Sequence, residues 1–64
     1  MNIPRNKNGS IDYKLINKIY IVYDPKGVPL FVIAITNYGH KTEKATDNLI
    51  NEIKHSNISY EEST

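Results

Sequence analysis

A chain of 64 residues allows one domain and no more. It contains no cysteine, which excludes a disulfide framework and thiolate metal sites. A formal net charge of +1 gives the whole molecule no field that would gather nucleic acid.

A domain of this size buries only about 60% of the surface its unfolded chain exposes, so its stability is marginal. Small scaffolds make up the shortfall with disulfides, a metal or a partner chain. His40 and His55 alone do not make a closed zinc site, and no cofactor is expected. A partner chain is the remedy left over. The lack of cysteine fits a reducing compartment, the cytoplasm. No apolar run approaches the ~20 residues that a membrane helix needs. Lysine outnumbers arginine seven to one, with Asn and Ile abundant. That bias suits a low-GC coding source such as a bacterium or its phage.

Residues 1–10 are polar, broken by Pro4 and Gly9, and lack the apolar segment of a secretory signal. They read as a mobile N-terminal arm that fills no core. Only Ile3 and Arg5 offer a means of ordering on a partner. Leu15 to Tyr23 is rich in β-branched and aromatic residues and reads as a strand. Asp24-Pro25-Lys26-Gly27 has the residues of a type I turn, with Gly27 free to take the left-handed conformation that closes a hairpin. Val28 to Thr36 is the second strand, with Pro29 placing its start at an edge or bulge.

Asn37-Tyr38-Gly39 breaks that strand. Thr42 is then the expected helix N-cap, with Glu43 in the first turn. Ala45, Leu49, Ile50 and Ile53 form one helical apolar stripe, which should end near His55-Ser56-Asn57. Ile58-Ser59-Tyr60 offers a short edge strand, with irregular chain as the alternative, before the acidic tail 61–64. The expected class is α+β: one small soluble ββα domain over residues 11–60, completed by oligomerisation.

The reason for expecting oligomerisation lies in the hairpin. Successive strand residues point to opposite faces. On the first strand one face takes Leu15, Ile19, Ile21 and Tyr23 and the other Ile16, Tyr20 and Val22; on the second, Val28, Leu30, Val32 and Ala34 point one way and Phe31, Ile33 and Ile35 the other. Both faces are apolar, as in strands buried on both sides. One helix covers only one of them. Burying a large apolar side chain is worth roughly 1.5–3 kcal/mol, so an uncovered face would forfeit an amount comparable to a small domain's stability. The expected interface therefore comprises Ile19, Tyr20, Ile21, Val22, Phe31, Ile33 and Ile35, in a dimer or larger homo-oligomer.

One segment could carry chemistry. Asn37, Tyr38, Gly39, His40, Lys41 and Thr42 fall between a strand and the expected helix N-terminus, with Lys44 nearby. Unpaired N–H groups there attract anions, Gly39 permits close approach, and the side chains add charge and donors. A phosphate or nucleotide would suit that corner, although the segment lacks the P-loop spacing. A Gly turn, a Thr cap and two solvated lysines suffice to explain it without a ligand, and that simpler explanation is the preferred one. The five tyrosines (Tyr13, Tyr20, Tyr23, Tyr38, Tyr60) read as core and rim residues, Tyr38 standing apart in its loop. No Ser, His and acid stand in a nucleophile pattern, and the paired carboxylates Glu61-Glu62 lie in the tail.

Lys18-Ile19-Tyr20 followed by Phe31-Val32-Ile33 resembles the two strand motifs of GIY-YIG nucleases over about a third of the chain. Ile33 stands where the second motif has glycine. The following helix has no arginine, and the metal-binding glutamate has no counterpart. The resemblance implies shared hairpin patterning and no nuclease activity.

The sequence thus points to a small non-catalytic binding or inhibitor protein. Such a chain suits a phage or mobile-element product that blocks a host component. The target is either a host protein or a small anionic ligand held between protomers near His40 and Lys41. The alternative is a nucleic-acid-associated protein using Lys14, Lys18, Lys41 and Lys44, against which the near-neutral charge argues.

Overall fold

The structure, a computed structural model, describes residues 2–64. A 3-10 turn at Tyr13–Leu15 leads into β1 (Ile16–Tyr23), β2 (Pro29–Thr36), β3 (Gly39–Lys44), α1 (Asp47–His55) and β4 (Tyr60–Ser63). The strands form one mixed sheet in the order β3-β2-β1-β4, with β4 parallel to β1 and the other pairs antiparallel. The small α+β domain expected from the pattern is present, with two strands more than the minimal hairpin.

The first hairpin forms for the reasons its residues suggest. Asp24 Oδ1 accepts from the N–H groups of Lys26 and Val28, and Gly27 N–H donates to the Asp24 carbonyl at 2.9 Å. Gly27 takes φ +89°, which only glycine adopts without strain. Pro29 opens β2 opposite Tyr23, beside an irregularity that leaves Leu30 without a partner in the register. A second irregularity leaves Asn17 unpaired between Ile16, opposite Thr36, and Lys18, opposite Ile35. That extra residue resets the alternation. Ile16 therefore joins the core with Ile19 and Ile21, contrary to the strict two-residue period, while Leu15 stays exposed.

The helix starts later than its first threonine suggests. Thr46 is the N-cap, its hydroxyl accepting the Leu49 N–H at 3.1 Å. Asn37 and Tyr38 form a tight turn instead of a break before a helix, and Thr42 lies within β3. Thr36 Oγ1 accepts from Tyr38 N–H and donates to the Gly39 carbonyl, closing that turn. Leu49, Ile50 and Ile53 pack onto Ile19, Ile21, Val32 and Ala34, with Ala45 partly buried from the connection. Ser56 ends the helix in the expected place.

Two expectations for the termini need correction. The polar residues 1–10 read as an arm that fills no core, yet Ile3 is 2% exposed and packs with Ile11 into the main cluster. Arg5 pairs with Ile11, and Asp12 N–H donates to the Pro4 carbonyl, so the segment returns on itself as a small loop. The acidic tail is likewise part of the sheet: Glu61, Glu62 and Ser63 belong to β4, opposite Tyr20, Ile21 and Val22. Ile58 and Ser59 precede that strand. No helix is long and apolar enough to cross a membrane among the described residues.

Candidate functional site

The helix and the N-terminal loop cover one face of the sheet. Alternation and register define what the other face carries. Tyr20 stands opposite Ile33, and Val22 opposite Phe31, on neighbouring central strands. Ile35 continues the row beside Lys18. These five apolar or aromatic side chains are all half-buried, screened by one another and by their strands. Five of the seven residues expected at an interface therefore share one uncovered face. The other two, Ile19 and Ile21, do not: both are fully buried beneath α1 and belong to the core.

Polar residues border this stripe on both sides. On β3, His40, Thr42 and Lys44 pair with Ile35, Ile33 and Phe31. On β4, Glu61 pairs with Tyr20 and Ser63 with Val22. Lys18 forms an ion pair with Glu61 and lies 5.7 Å from the centroid of the Tyr20 ring. The hydrogen bond that Lys18 donates to the Glu61 carboxylate, then the charge of that carboxylate, raises the Lys18 pKa above its ordinary value. An apolar centre with a charged rim is the anatomy of a protein contact surface.

The expected anion corner is dispersed. Asn37 and Tyr38 are at the tip of the β2–β3 turn, where Tyr38 is 83% exposed and Asn37 accepts a hydrogen bond from Asn17 at 2.9 Å. His40, Thr42 and Lys44 share the open face, whereas Lys41 stands opposite Ala34 on the helix side. Gly39, at φ +113°, serves the turn. The premise that these residues meet a helix N-terminus fails, because α1 begins at Asp47 behind its own cap.

Sequence reasoning missed a polar cluster on the covered side. Glu43 and Glu52, from β3 and α1, both bind Arg5, at 3.1 and 3.5 Å. Glu43 also accepts the Ile3 N–H at 3.3 Å, and Glu52 accepts the Ile11 N–H at 2.8 Å. Each carboxylate thus satisfies main-chain and guanidinium donors together. The lone arginine was the available signal.

No pocket and no cluster of three or more metal-ligating side chains occurs among the described residues. What the molecule presents is a surface. Compared with protein-family models, curated proteins and solved structures, the chain has no significant match.

Proposed function

We propose that this chain is a small non-catalytic binding protein that works as a homo-oligomer, two copies burying their open sheet faces together. One observation carries the reading: Tyr20, Val22, Phe31, Ile33 and Ile35 stand side by side on a face that no other element among the described residues covers. Contiguous apolar patches of this kind mark interaction surfaces. A second copy is the partner that every molecule in solution already has, and twofold association is its commonest form.

Such an oligomer would block a host component, and composition suits a phage or mobile-element product. A protein target is favoured over a sequestered anion, because the basic residues expected to gather in one corner are divided between two faces. The exposed Tyr38 at the hairpin tip remains available to that target. Tyrosine supplies contact area at low entropic cost.

The test is the solution mass, by light scattering after size exclusion, over a wide range of protein concentration. A dimer that persists on dilution supports the reading, as does its dissociation by Ile33→Lys with the circular dichroism unchanged. A wild-type chain that stays monomeric at every concentration overturns it.

A further inference from the structure

The two rims of the open face differ in charge, with Lys44, unpaired among the described residues, on one side and Glu61 beside its partner Lys18 on the other. Lys44 and His40 mark the β3 side, and Glu61 marks the β4 side. Lys44 is exposed and makes no ion pair among the described residues. Glu61 already meets Lys18, but a carboxylate has lone pairs for further donors.

We infer that two copies pack open face to open face about a twofold axis running parallel to the strands, so that the Lys44 rim of each lies over the Glu61 rim of the other. This rests on the self-association proposed above and fixes its geometry.

Symmetry and charge together select this arrangement. A twofold axis relating two stacked sheets lies between them, either along the strands or across them. An axis along the strands, between β1 and β2, exchanges left and right. The order β3-β2-β1-β4 then lies over β4-β1-β2-β3, and each Lys44 rim meets a Glu61 rim. An axis across the strands stacks β3 on β3 and β4 on β4, bringing the two Lys44 rims to one side and the two Glu61 rims to the other. Like charges brought together disfavour an interface, and complementary ones fix its orientation.

The rows across the sheet support the same arrangement. One row runs Lys44, Phe31, Val22, Ser63, and the next runs Thr42, Ile33, Tyr20, Glu61. Rows on one face are two residues apart, about 7 Å along the strands. The long side chain of Lys44 spans that offset toward the neighbouring row of the other copy. Between the rims, Tyr20 and Val22 of each copy come to lie over Ile33 and Phe31 of the other. Aligned sheets about 10 Å apart interdigitate such side chains into a common core.

Lys44→Glu, Glu61→Lys and the double variant test the geometry, through dimer dissociation constants at low ionic strength. Lys44→Glu should weaken the dimer roughly three- to tenfold, as expected when two rim pairs per dimer turn repulsive. Adding Glu61→Lys should restore most of that loss, and wild-type affinity should fall as salt rises. Glu61→Lys also breaks the pair with Lys18, alone and in the double variant alike, so the decisive readouts are Lys44→Glu itself and the coupling between the two substitutions over the full cycle. A dimer whose affinity is unchanged or improved by Lys44→Glu overturns the strand-parallel axis and leaves self-association standing. A dimer that survives Ile33→Lys overturns the face-to-face arrangement in favour of pairing at the sheet edges. A monomeric wild type removes the self-association reading, and the inference with it.

Discussion

Arg5 and Glu43 are 38 positions apart in the chain, yet Nη2 of one lies 3.1 Å from Oε2 of the other. The same Glu43 carboxylate accepts the Ile3 N–H, so a strand side chain holds the N-terminal segment by its backbone and its guanidinium. Glu52 repeats the arrangement from the helix, with Arg5 and the Ile11 N–H. The polar contacts explain how Ile3 and Ile11 are kept over the core despite the hydrophilic loop between them.

Ile3→Ala should therefore behave as a core truncation, costing about 2–4 kcal/mol, because deletion of buried methylenes adds a cavity to the lost transfer energy. Ile3 is 2% exposed, as buried as Ile11. Urea denaturation is the measurement. A loss below about 0.5 kcal/mol, the range of ordinary surface substitutions, would show that the segment does not cover the core.

Glu43→Ala and Arg5→Ala should differ in a definite order. Arg5 side-chain exposure is 33%, and an exposed ion pair contributes about 0.2–1 kcal/mol. Removing Glu43 also strips a partly buried backbone N–H of its acceptor, which costs about 1–3 kcal/mol. Glu43→Ala should thus be the more damaging, and Glu43→Gln milder than Glu43→Ala because its amide oxygen still accepts. Chemical denaturation of the three variants at low and high salt checks the order; equal losses would reduce Glu43 to an ion-pair partner.

How much of this was legible in the sequence depends on what carries each element. The β1–β2 hairpin advertises itself through apolar strands and the Asp24–Gly27 turn, and the helix through Leu49, Ile50 and Ile53. Strand β3 does not, because Gly39–Lys44 is an edge strand of polar residues with no apolar alternation to read. Its threonine then resembles a helix cap. Strand β4 is hidden in the same way by its two glutamates. The N-terminal loop is anchored by carboxylates distant in sequence, so no local pattern marks it. For the open face, alternation grouped Tyr20 with Val22, and Phe31 with Ile33 and Ile35, without saying which strand faces share a side, and the Asn17 irregularity explains why Ile16 does not join them.

Tyr23 gives the fold an alkaline signature. Its hydroxyl hydrogen-bonds to the Glu62 carboxylate, which with partial burial and the nearby negative charge raises its pKa from 10.0 to about 12. The folded state therefore holds this proton more tightly than the unfolded chain. The stabilisation is complete below about pH 10 and is lost as pH rises through about 12. Subtracting the ultraviolet titration of Tyr23→Phe from that of the wild type should isolate a midpoint near 12. Glu62→Gln should move that midpoint down. A midpoint unaffected by Glu62→Gln would mean that β4 does not hold this register in solution.

The two threonines near the helix offer a direct test of where it begins. Thr46 caps α1 by accepting the Leu49 N–H, while Thr42 lies on the open face of β3 opposite Ile33. Losing an N-cap typically costs about 1 kcal/mol, whereas an exposed strand position away from special features shifts stability by about 0.5 kcal/mol or less. Thr46→Ala should accordingly lower the urea midpoint clearly and Thr42→Ala barely, under conditions where the chain is in one oligomeric state. The reverse order would put the helix start at Thr42, dissolve β3 and remove the basic rim on which the twofold geometry depends. Thr46→Asp supplies the control: a carboxylate at the same position caps the helix and favours its dipole, so stability should be retained where alanine loses it.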